Sequence, residues 1–323
     1  MNVLVLLPLT DTQRVLFEDA VPDASFTYAS ASDTGGAGLS MGRTVSDAQI
    51  AVAHVIVGNL PCKRLAVAAN LKLLQLNSAG YDAYLAPGAL PAGTKLCSAV
   101  GAYGQAVSEH LFAMLLALMK RLPVYRDQQR MRIWDDLGPV TTPHDAQVLV
   151  LGTGDIGSHF ARLCRGMGAH VIGVRRHAGA TPEGFEEVYT MDRLDTLLGD
   201  ADVVASFLPS TPSTRGLAGE NFFSAMKPGA YFINGGRGDL VDNGALADAL
   251  QSGHLAGAAL DVTNPEPLPI DSPLWDEPNV FITPHISGGF HLPCVFDNIV
   301  AIAAENMRRL QAGQPLRNEV ALP

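Results

Sequence analysis

The stretch LVLGTGDIGSHFARL, residues 149–163, predicts the fold of this chain. An apolar run leads into Gly152, Gly154 and Gly157, and apolar residues then recur at helical spacing. In such a strand–turn–helix the first glycine permits a tight turn. The second lets a pyrophosphate approach the backbone, and the third lets the helix pack closely on the strand. The stretch therefore predicts a dinucleotide-binding βαβ unit, with an ordinary strand–helix turn as the alternative.

Short apolar runs alternate with helical stretches along the whole chain. Continuous apolar strands separated by helices are typical of parallel sheets that are covered on both faces. The candidate strands are too many for one small sheet, so we predict an α/β protein with two doubly wound parallel-sheet domains. The candidate strands are 3–8, 25–30, 53–58, 71–77, 94–99, 147–152, 170–175, 202–208, 230–234, 256–262 and 279–283.

The domain boundary is placed near Val100, where the candidate strand 94–99 gives way to a long helix. The last helix, 293–312, is followed by Gly313, a residue type common just after helix ends. No strand follows this helix, so we expect it to pack back on the first domain. The expected domains are a discontinuous substrate domain, 1–99 plus 288–323, and a dinucleotide-binding domain, 100–287.

Composition and charge exclude several classes of protein. The chain has 323 residues and a net charge of −10, which argues against a non-specific nucleic-acid binder. The start, MNVLVLLPLT, has no basic residue before its apolar run, so it predicts a strand rather than a signal peptide. The longest apolar run, 111–119, is far shorter than the roughly 20 residues that span a bilayer. Four scattered cysteines without a CxxC pair favour the cytoplasm and predict neither disulfides nor a metal site.

The residues after the strand 170–175 bear on the choice of dinucleotide. An Asp or Glu at this strand end would accept a hydrogen bond from the ribose 2′-hydroxyl of NAD. The chain instead has Arg175 and Arg176, whose guanidinium groups suit a 2′-phosphate. We therefore predict NADP(H) over NAD(H), with two solvated arginines and a weak preference as the alternative.

Three further segments carry side chains suited to chemistry. Glycines surround Arg237 in FINGGRGDLVD, residues 232–242. A solvated turn or an adhesion tripeptide would account for this, but we expect the glycines to clear space for an anion at the guanidinium. Asp261 and Glu266, in DVTNPEP, and His285, in TPHIS, also follow candidate strands. Because ligands bind at the carboxyl ends of parallel strands, the three segments are expected beside the cofactor.

The order and spacing of these motifs resemble the D-isomer-specific 2-hydroxyacid dehydrogenases, and among them the glyoxylate/hydroxypyruvate reductases. The resemblance implies a Rossmann cofactor domain inserted in a discontinuous flavodoxin-like substrate domain. It also implies a homodimer formed through the cofactor domain, for which the apolar helix at 109–121 is a candidate, with core packing as the alternative. The motifs that carry it are NSAGYD, GAYGQAVSEH, GTGDIG, LPSTPSTRGL, MKPGAYFINGGRG, LAGAALDV, NPEP, SPLWDEPNVFITPHISGG and QPLRN.

A catalytic set of Arg237, Glu266 and His285 is implied by the resemblance. Arg237 can grip a carboxylate with its planar fork and polarise the adjacent carbonyl. His285 titrates in the range needed to donate a proton to the developing alkoxide, and a carboxylate beside it favours the imidazolium form. Taken singly, the histidine could be structural and the glutamate could belong to a stiff surface turn.

The expected function is the reduction of small 2-keto acids to D-2-hydroxy acids, with glyoxylate and hydroxypyruvate favoured. The alternatives are a phosphoglycerate dehydrogenase and a dinucleotide-sensing protein of the corepressor type. Asp261 is expected near the nicotinamide, with a strand-end cap as the alternative, and Trp134 is a candidate for a pocket across a dimer. Predicted cofactor contacts are Gly152, Gly154, Asp155, Ile156, Gly157, Arg175, Arg176, Leu208, Pro209, Thr214, Gly235, Gly236 and Asp261. Predicted substrate contacts are Ser78, Ala79, Gly80 and Tyr81, through backbone N–H groups near Ala79 and Gly80.

Overall fold

The computed structural model describes residues 1–31 and 43–322, and the chain divides into two compact units. One unit contains Met1–Tyr103 and Gly289–Pro323, and the other contains Gly104–Gly288. Each unit has its own parallel sheet and its own buried apolar core, which confirms the predicted α/β class with two parallel-sheet domains. In the described part of the chain, no helix combines the length and the apolar character needed to cross a membrane.

The first unit is built on a five-stranded parallel sheet with short, buried strands. The strands are β1 Asn2–Val5, β2 Ser25–Tyr28, β3 Ser30–Ala31, β4 Arg43–Thr44, β5 Val55–Val57, β6 Leu73–Gln75 and β7 Lys95–Cys97. The sheet order is β2-β1-β5-β6-β7, which is the flavodoxin-like order, while β3 and β4 form a separate antiparallel pair. The central strands β5 and β6 are buried throughout because helices cover a sheet of this kind on both faces.

The helices of the first unit have clear start and stop signals. Its helices are α1 Asp11–Ala20, α2 Asp47–Ala51, α3 Cys62–Leu65 and α10 Pro293–Gln311, with a 3₁₀ turn at Asp82–Tyr84. Thr10 and Gln13 form a capping box at the start of α1. Gly313 follows α10 with a φ of +65°, as expected for a glycine that ends a helix. Helix α10 packs against α1 and β6, and Asn306 donates to Gln75 Oε1 at 2.7 Å.

The second unit holds a seven-stranded parallel sheet. Its strands are β8 Gln147–Leu151, β9 His170–Arg175, β10 Glu187–Thr190, β11 Val203–Ser206, β12 Tyr231–Asn234, β13 Gly257–Leu260 and β14 Val280–Ile282. The order β10-β9-β8-β11-β12-β13-β14 is the Rossmann order extended by one strand. The edge strand β10 was not predicted.

Helix α4 is a core helix of the second unit. It packs against α6, β12, β13 and β14, and Leu111, Met114 and Leu115 are buried there. The alternative of core packing thus accounts for the apolar run at 109–121. The helices of this unit are α4 Gly104–Met119, α5 Leu122–Met131, α6 Asp155–Gly166, α7 Leu194–Leu198, α8 Glu220–Ala225 and α9 Asn243–Gln251. Its 3₁₀ turns are Met191–Arg193, Gly238–Leu240 and Pro273–Trp275.

Candidate active site

The predicted chemical residues follow three neighbouring strands of the second unit. Strands β12, β13 and β14 are adjacent and parallel, and Asn234 pairs with Leu260, which pairs with Ile282. The segments that carry Arg237, Asp261 and His285 therefore leave the sheet at the same edge. This is the edge at which open α/β sheets bind ligands.

Two glycines in the turn after β8 have the geometry that the sequence predicted for them. Gly152 has a φ of +98°, which favours glycine at this turn. A Cβ on Gly157 would lie 1.9 Å from the carbonyl oxygen of Gly152, so the helix could not approach the strand with any side chain there. Among the described residues, a Cβ on Gly154 would meet no atom within 4 Å beyond its chain neighbours. Close packing therefore does not explain Gly154, and its approach by a pyrophosphate stays a prediction.

Helix α6 begins directly after Gly154, so its first N–H groups face the turn. These include the N–H groups of Asp155 and Ile156, which are predicted phosphate donors. The Asp155 side chain, however, points to the protein: its carboxylate lies 3.4 Å from His159 Nδ1 and close to Gly104. Any contact of Asp155 with an anion would therefore involve its backbone.

Arg175 ends strand β9 and carries an unusual buried nitrogen. One terminal nitrogen of its guanidinium donates to Ala180 O at 3.0 Å. Its Nε is buried and has no hydrogen-bond partner among the described residues. Arg176 is exposed, with its Nε 2.9 Å from His177 Nε2. The two arginines thus differ: one guanidinium is held in place by the protein, and the other faces solvent.

The loop after β11 carries Leu208, Pro209 and Thr214. The Thr214 hydroxyl donates to Pro209 O at 2.7 Å and accepts from Thr211 N at 2.9 Å. These bonds close the loop on itself. Leu208 is buried, and Pro209 is exposed at the surface of the loop. Thr214 therefore has a structural task in shaping this loop.

The glycines around Arg237 do not clear space for a ligand, and that expectation was wrong. A Cβ on Gly235 would lie 2.1 Å from a methyl group of Leu111. On Gly236 it would lie 2.5 Å from Leu208 O, and on Gly238 it would lie 1.9 Å from Thr263 O. Gly236 and Gly238 are required by the close approach of backbone atoms from other segments, and Gly235 packs against the Leu111 side chain. The result is a turn packed tightly between the β11 and β13 loops.

The Arg237 side chain leaves this packed turn with a fixed base. Asn234 Nδ2 donates to Arg237 O at 3.0 Å, and Asn234 Oδ1 accepts from Gly236 N at 3.1 Å. One guanidinium nitrogen donates to Gly236 O at 2.8 Å. Arg237 is partly exposed. The backbone of Arg237 is thus fixed by its own turn, and the role of its guanidinium as an anion clamp stays a prediction.

His285 and Glu266 are in direct contact. His285 Nδ1 lies 2.9 Å from Glu266 Oε2, while Glu266 Oε1 accepts from Thr263 N at 3.1 Å. About half of the His285 side chain is exposed (50%). Because Nδ1 is engaged by a carboxylate, Nε2 is the ring nitrogen that can exchange a proton with a ligand. His285 has a φ of +52°, a conformation that costs a residue with a Cβ about 1–2 kcal/mol.

Asp261 is almost completely buried (1% exposed), and its carboxylate is used by the protein. It accepts from Thr283 Oγ1 at 2.6 Å, from Ile286 N at 3.0 Å and from Ser287 N at 3.1 Å. The Ser287 hydroxyl donates to it as well. The carboxylate thus binds the segment that carries His285, which favours the strand-end cap that was the alternative to a nicotinamide contact.

The predicted substrate residues Ser78, Ala79, Gly80 and Tyr81 lie in the first unit, after the carboxyl end of β6. Asn59 and Asn77 hold the base of this loop by reciprocal bonds, N to Oδ1, of 2.8 and 3.0 Å. The Ser78 hydroxyl donates to Gly80 O at 2.6 Å and accepts from Asn59 Nδ2 at 3.0 Å.

The base of the same loop has a further anchor in Tyr103. Its hydroxyl donates to Asn77 O, and burial raises the pKa of this phenol, which keeps it protonated and able to donate.

Sequence reasoning missed two residues that shape the loop of His285. Thr283 and Ser287 were not assigned any role, although each contacts Asp261. Their positions just after strand ends were the available signal. Short polar residues there are also common in ordinary turns, so the pattern could not single them out.

Comparison with known proteins identifies the chain. Residues 112–287, more than half of it, match the family model of the D-isomer specific 2-hydroxyacid dehydrogenase NAD binding domain. The chain belongs to the D-isomer specific 2-hydroxyacid dehydrogenase family. Glyoxylate/hydroxypyruvate reductase A of Photorhabdus laumondii subsp. laumondii is 34% identical over 270 residues, covering 81% of this chain and 83% of that protein. The predicted class of enzyme, an NAD(P)-dependent 2-hydroxyacid dehydrogenase, is thereby confirmed.

Solved structures of the family agree with the fold. A family protein from Aeromonas salmonicida subsp. salmonicida has a TM-score of 0.83 and 34% identity, with coverage of 99% of this chain and 98% of that one. A D-isomer specific 2-hydroxyacid dehydrogenase from Xanthobacter autotrophicus, in complex with NADPH and MES, has a TM-score of 0.80 and 30% identity, with the same coverage. The predicted Rossmann cofactor domain is confirmed by these matches.

Proposed function

We propose that this dehydrogenase reduces small 2-keto acids to D-2-hydroxy acids, with NADP(H) favoured over NAD(H). The proposal rests on the contact between His285 and Glu266. These two residues and Arg237 follow three adjacent parallel strands, which end at the same edge of the sheet. An imidazole oriented by a carboxylate is a proton donor, and a guanidinium on a rigid base is an anion clamp. A 2-keto acid needs both, because its carboxylate stands next to the carbonyl that is reduced.

The residues of the second unit fit a nicotinamide dinucleotide. Gly154 leaves open space at the N-terminus of α6, where N–H donors suit a pyrophosphate. Arg175 offers a buried nitrogen that has no partner among the described residues, which suits a 2′-phosphate. When bound, the dinucleotide supplies the hydride. Arg176, Leu208, Pro209, Thr214, Gly235 and Gly236 remain proposed contacts, and Asp261 is the least supported of the set because its carboxylate is engaged.

Each chemical residue has a distinct proposed task. Arg237 binds the substrate carboxylate and polarises the neighbouring carbonyl. His285 donates the proton from Nε2 to the carbonyl oxygen as negative charge develops there, and neutral His285 is the base in the reverse direction. Glu266 accepts from Nδ1, which fixes the ring and leaves Nε2 for the substrate. General acid catalysis of this kind contributes about 10²–10⁴ in rate.

Glyoxylate and hydroxypyruvate are the favoured substrates. The similarity to a glyoxylate/hydroxypyruvate reductase of Photorhabdus supports them, and the loop Ser78–Tyr81 is the proposed site of contact in the first unit. A phosphorylated substrate is disfavoured. Arg64 is a positively charged residue near the loop Ser78–Tyr81 in sequence, but its guanidinium is already paired with Asp47 at 2.6 Å.

We also propose that the enzyme forms a homodimer through the second unit, with a segment other than helix α4. Leu122, Met131, Ile133, Trp134 and Val140 are all exposed within one segment, and Trp134 is completely so. Exposed apolar residues concentrated in this way mark interaction surfaces. Sedimentation velocity tests the proposed dimer. The wild type is expected to sediment as a dimer, and Trp134→Ala is expected to weaken the association. A monomeric wild type would contradict the proposal. The cytoplasmic location stays a prediction.

The experiment that tests the function is an initial-rate assay with NADPH and NADH in parallel. Glyoxylate, hydroxypyruvate, pyruvate, 2-ketoisocaproate and phenylpyruvate would each be offered. We expect NADPH to be consumed faster than NADH, with the highest rates for glyoxylate and hydroxypyruvate. Binding of dinucleotide without turnover of any 2-keto acid would contradict the proposal and favour a dinucleotide-sensing role.

A further inference from the structure

We infer that Asp261, Thr283 and His110 form a positioning network that fixes His285, and this inference rests on the proposed function. The network begins at Asp261, which binds the whole segment 283–287. Thr283, Ile286 and Ser287 donate to its carboxylate. The N–H of His285 donates to its carbonyl oxygen at 2.8 Å. Every residue of this segment that can donate, all but Pro284, therefore binds to one residue at the end of β13.

This arrangement accounts for the backbone conformation of His285. A residue with a Cβ persists in the left-handed region only where its surroundings over-determine it. Here the bonds of Thr283 on one side and of Ile286 and Ser287 on the other fix the chain at both ends of His285. The backbone of His285 is held by Asp261, and its ring is held by Glu266. The position of Nε2 follows from these two anchors together.

The hydrogen bonds of the Thr283 hydroxyl extend the network to His110 on helix α4. The Thr283 hydroxyl has one proton, and its oxygen lies 2.6 Å from Asp261 Oδ1, 3.0 Å from His110 Nε2 and 3.8 Å from Met114 Sδ. The carboxylate is the strongest acceptor, so the proton is directed to Asp261. The Thr283 oxygen can then only accept from His110, whose Nε2 must carry a hydrogen. His110 is partly buried and comes from a core helix, so it anchors the segment to the rigid part of the unit.

Two matched pairs of variants test the network. Thr283→Val keeps the shape of the side chain and removes the hydroxyl, whereas Thr283→Ser keeps the hydroxyl. His110→Leu removes the donor to Thr283, whereas His110→Gln places an amide N–H near the position that Nε2 of His110 occupies. The readouts are kcat and KM with hydroxypyruvate, the dissociation constant of NADPH by fluorescence titration, and amide hydrogen exchange of the segment 283–288.

Thr283→Val and His110→Leu are expected to lower kcat by about tenfold or more, because small misplacements of a reacting group are costly. Amide exchange in the segment 283–288 should accelerate, while the dissociation constant of NADPH should change by less than about twofold, since the proposed dinucleotide contacts are untouched. Thr283→Ser and His110→Gln should retain most of the rate. An unchanged kcat in Thr283→Val would overturn the inference. So would a loss confined to NADPH binding, which would make this region a cofactor contact.

A failure of the proposed function is distinguishable from a failure of the network. If the wild type reduces no 2-keto acid, the function fails, but the state of His110 can still be measured. The ¹⁵N shifts of its imidazole, assigned by their loss in His110→Gln, should show the hydrogen on Nε2. A neutral ring with its hydrogen on Nδ1 would overturn the network whatever the activity.

Discussion

His285 and Glu266 are joined by a contact of 2.9 Å between Nδ1 and Oε2. The other oxygen of this carboxylate accepts a hydrogen bond from the backbone N–H of Thr263. Glu266 is thereby held between a loop and the ring, so it can orient the ring. The ring in turn presents Nε2 at a partly exposed surface.

Glu266→Gln should separate orientation from charge. The single oxygen of glutamine can still accept from Thr263 N, but its amide nitrogen can only donate, so a protonated His285 Nδ1 loses its acceptor. The kcat/KM for hydroxypyruvate is expected to fall by about a hundredfold. Glu220→Gln, at an exposed position on α8, is the matched control and should keep wild-type kinetics. Equal rates in the two variants would exclude Glu266 from the reaction.

Arg237→Lys keeps the charge but loses the planar fork. Lysine cannot bind both oxygens of a carboxylate in a fixed plane, so the keto acid loses its orientation. The expected result is a fall in kcat/KM of about 10²-fold, with NADPH binding unchanged. Steady-state kinetics and fluorescence titration measure the two quantities. Wild-type saturation and turnover in the lysine variant would rule out the clamp.

Arg175→Gln tests the choice of dinucleotide. The substitution keeps a polar but shorter side chain and removes the positive charge beside the proposed 2′-phosphate. The ratio of kcat/KM with NADPH to that with NADH should fall by about tenfold or more, through the NADPH value. Arg176→Gln should have a smaller effect, because that side chain is exposed and less fixed. An unaltered ratio in both variants would reject the arginines as phosphate readers.

Two glycine substitutions should have opposite signatures. Gly238→Ala would put a Cβ 1.9 Å from Thr263 O, so overpacking should lower the free energy of unfolding by about 1–3 kcal/mol. The Cβ of Gly154→Ala would have no neighbour within 4 Å in the described part of the chain beyond its chain neighbours, so stability should be kept while the dissociation constant of the dinucleotide rises. Thermal unfolding and fluorescence titration provide the comparison. Destabilisation by Gly154→Ala would show that this glycine serves packing instead.

Most of the fold was predictable from the sequence because the buried strands are continuous apolar runs. Strands such as β8 and β11 stand out for this reason. Strand β10, Glu187–Thr190, lies at the sheet edge and is not fully buried. Its sequence therefore has no apolar run that would predict a strand. The predicted limits of several strands were too long, since apolar residues continue into the loops.

The candidate site was predictable in its residues but not in its packing. The order of Arg237, Glu266 and His285 was readable, because each follows a strand. The glycines around Arg237 were misread, because the segments that approach them, at Leu111, Leu208 and Thr263, are distant in sequence. The hydrogen bonds of Asp261 also depend on long-range geometry, so its role in holding the segment of His285 could not be read from the sequence.

The central claim is that the enzyme moves a hydride from the nicotinamide to C2 of a 2-keto acid. The most direct test is a turnover of hydroxypyruvate with NADPH that carries deuterium at both hydrogens of nicotinamide C4, followed by mass spectrometry and chiral analysis of the product. We expect D-glycerate with deuterium at C2 from the wild type, and a strongly reduced yield from His285→Asn. Glycerate of the L configuration, product without deuterium, or no product at all would contradict it.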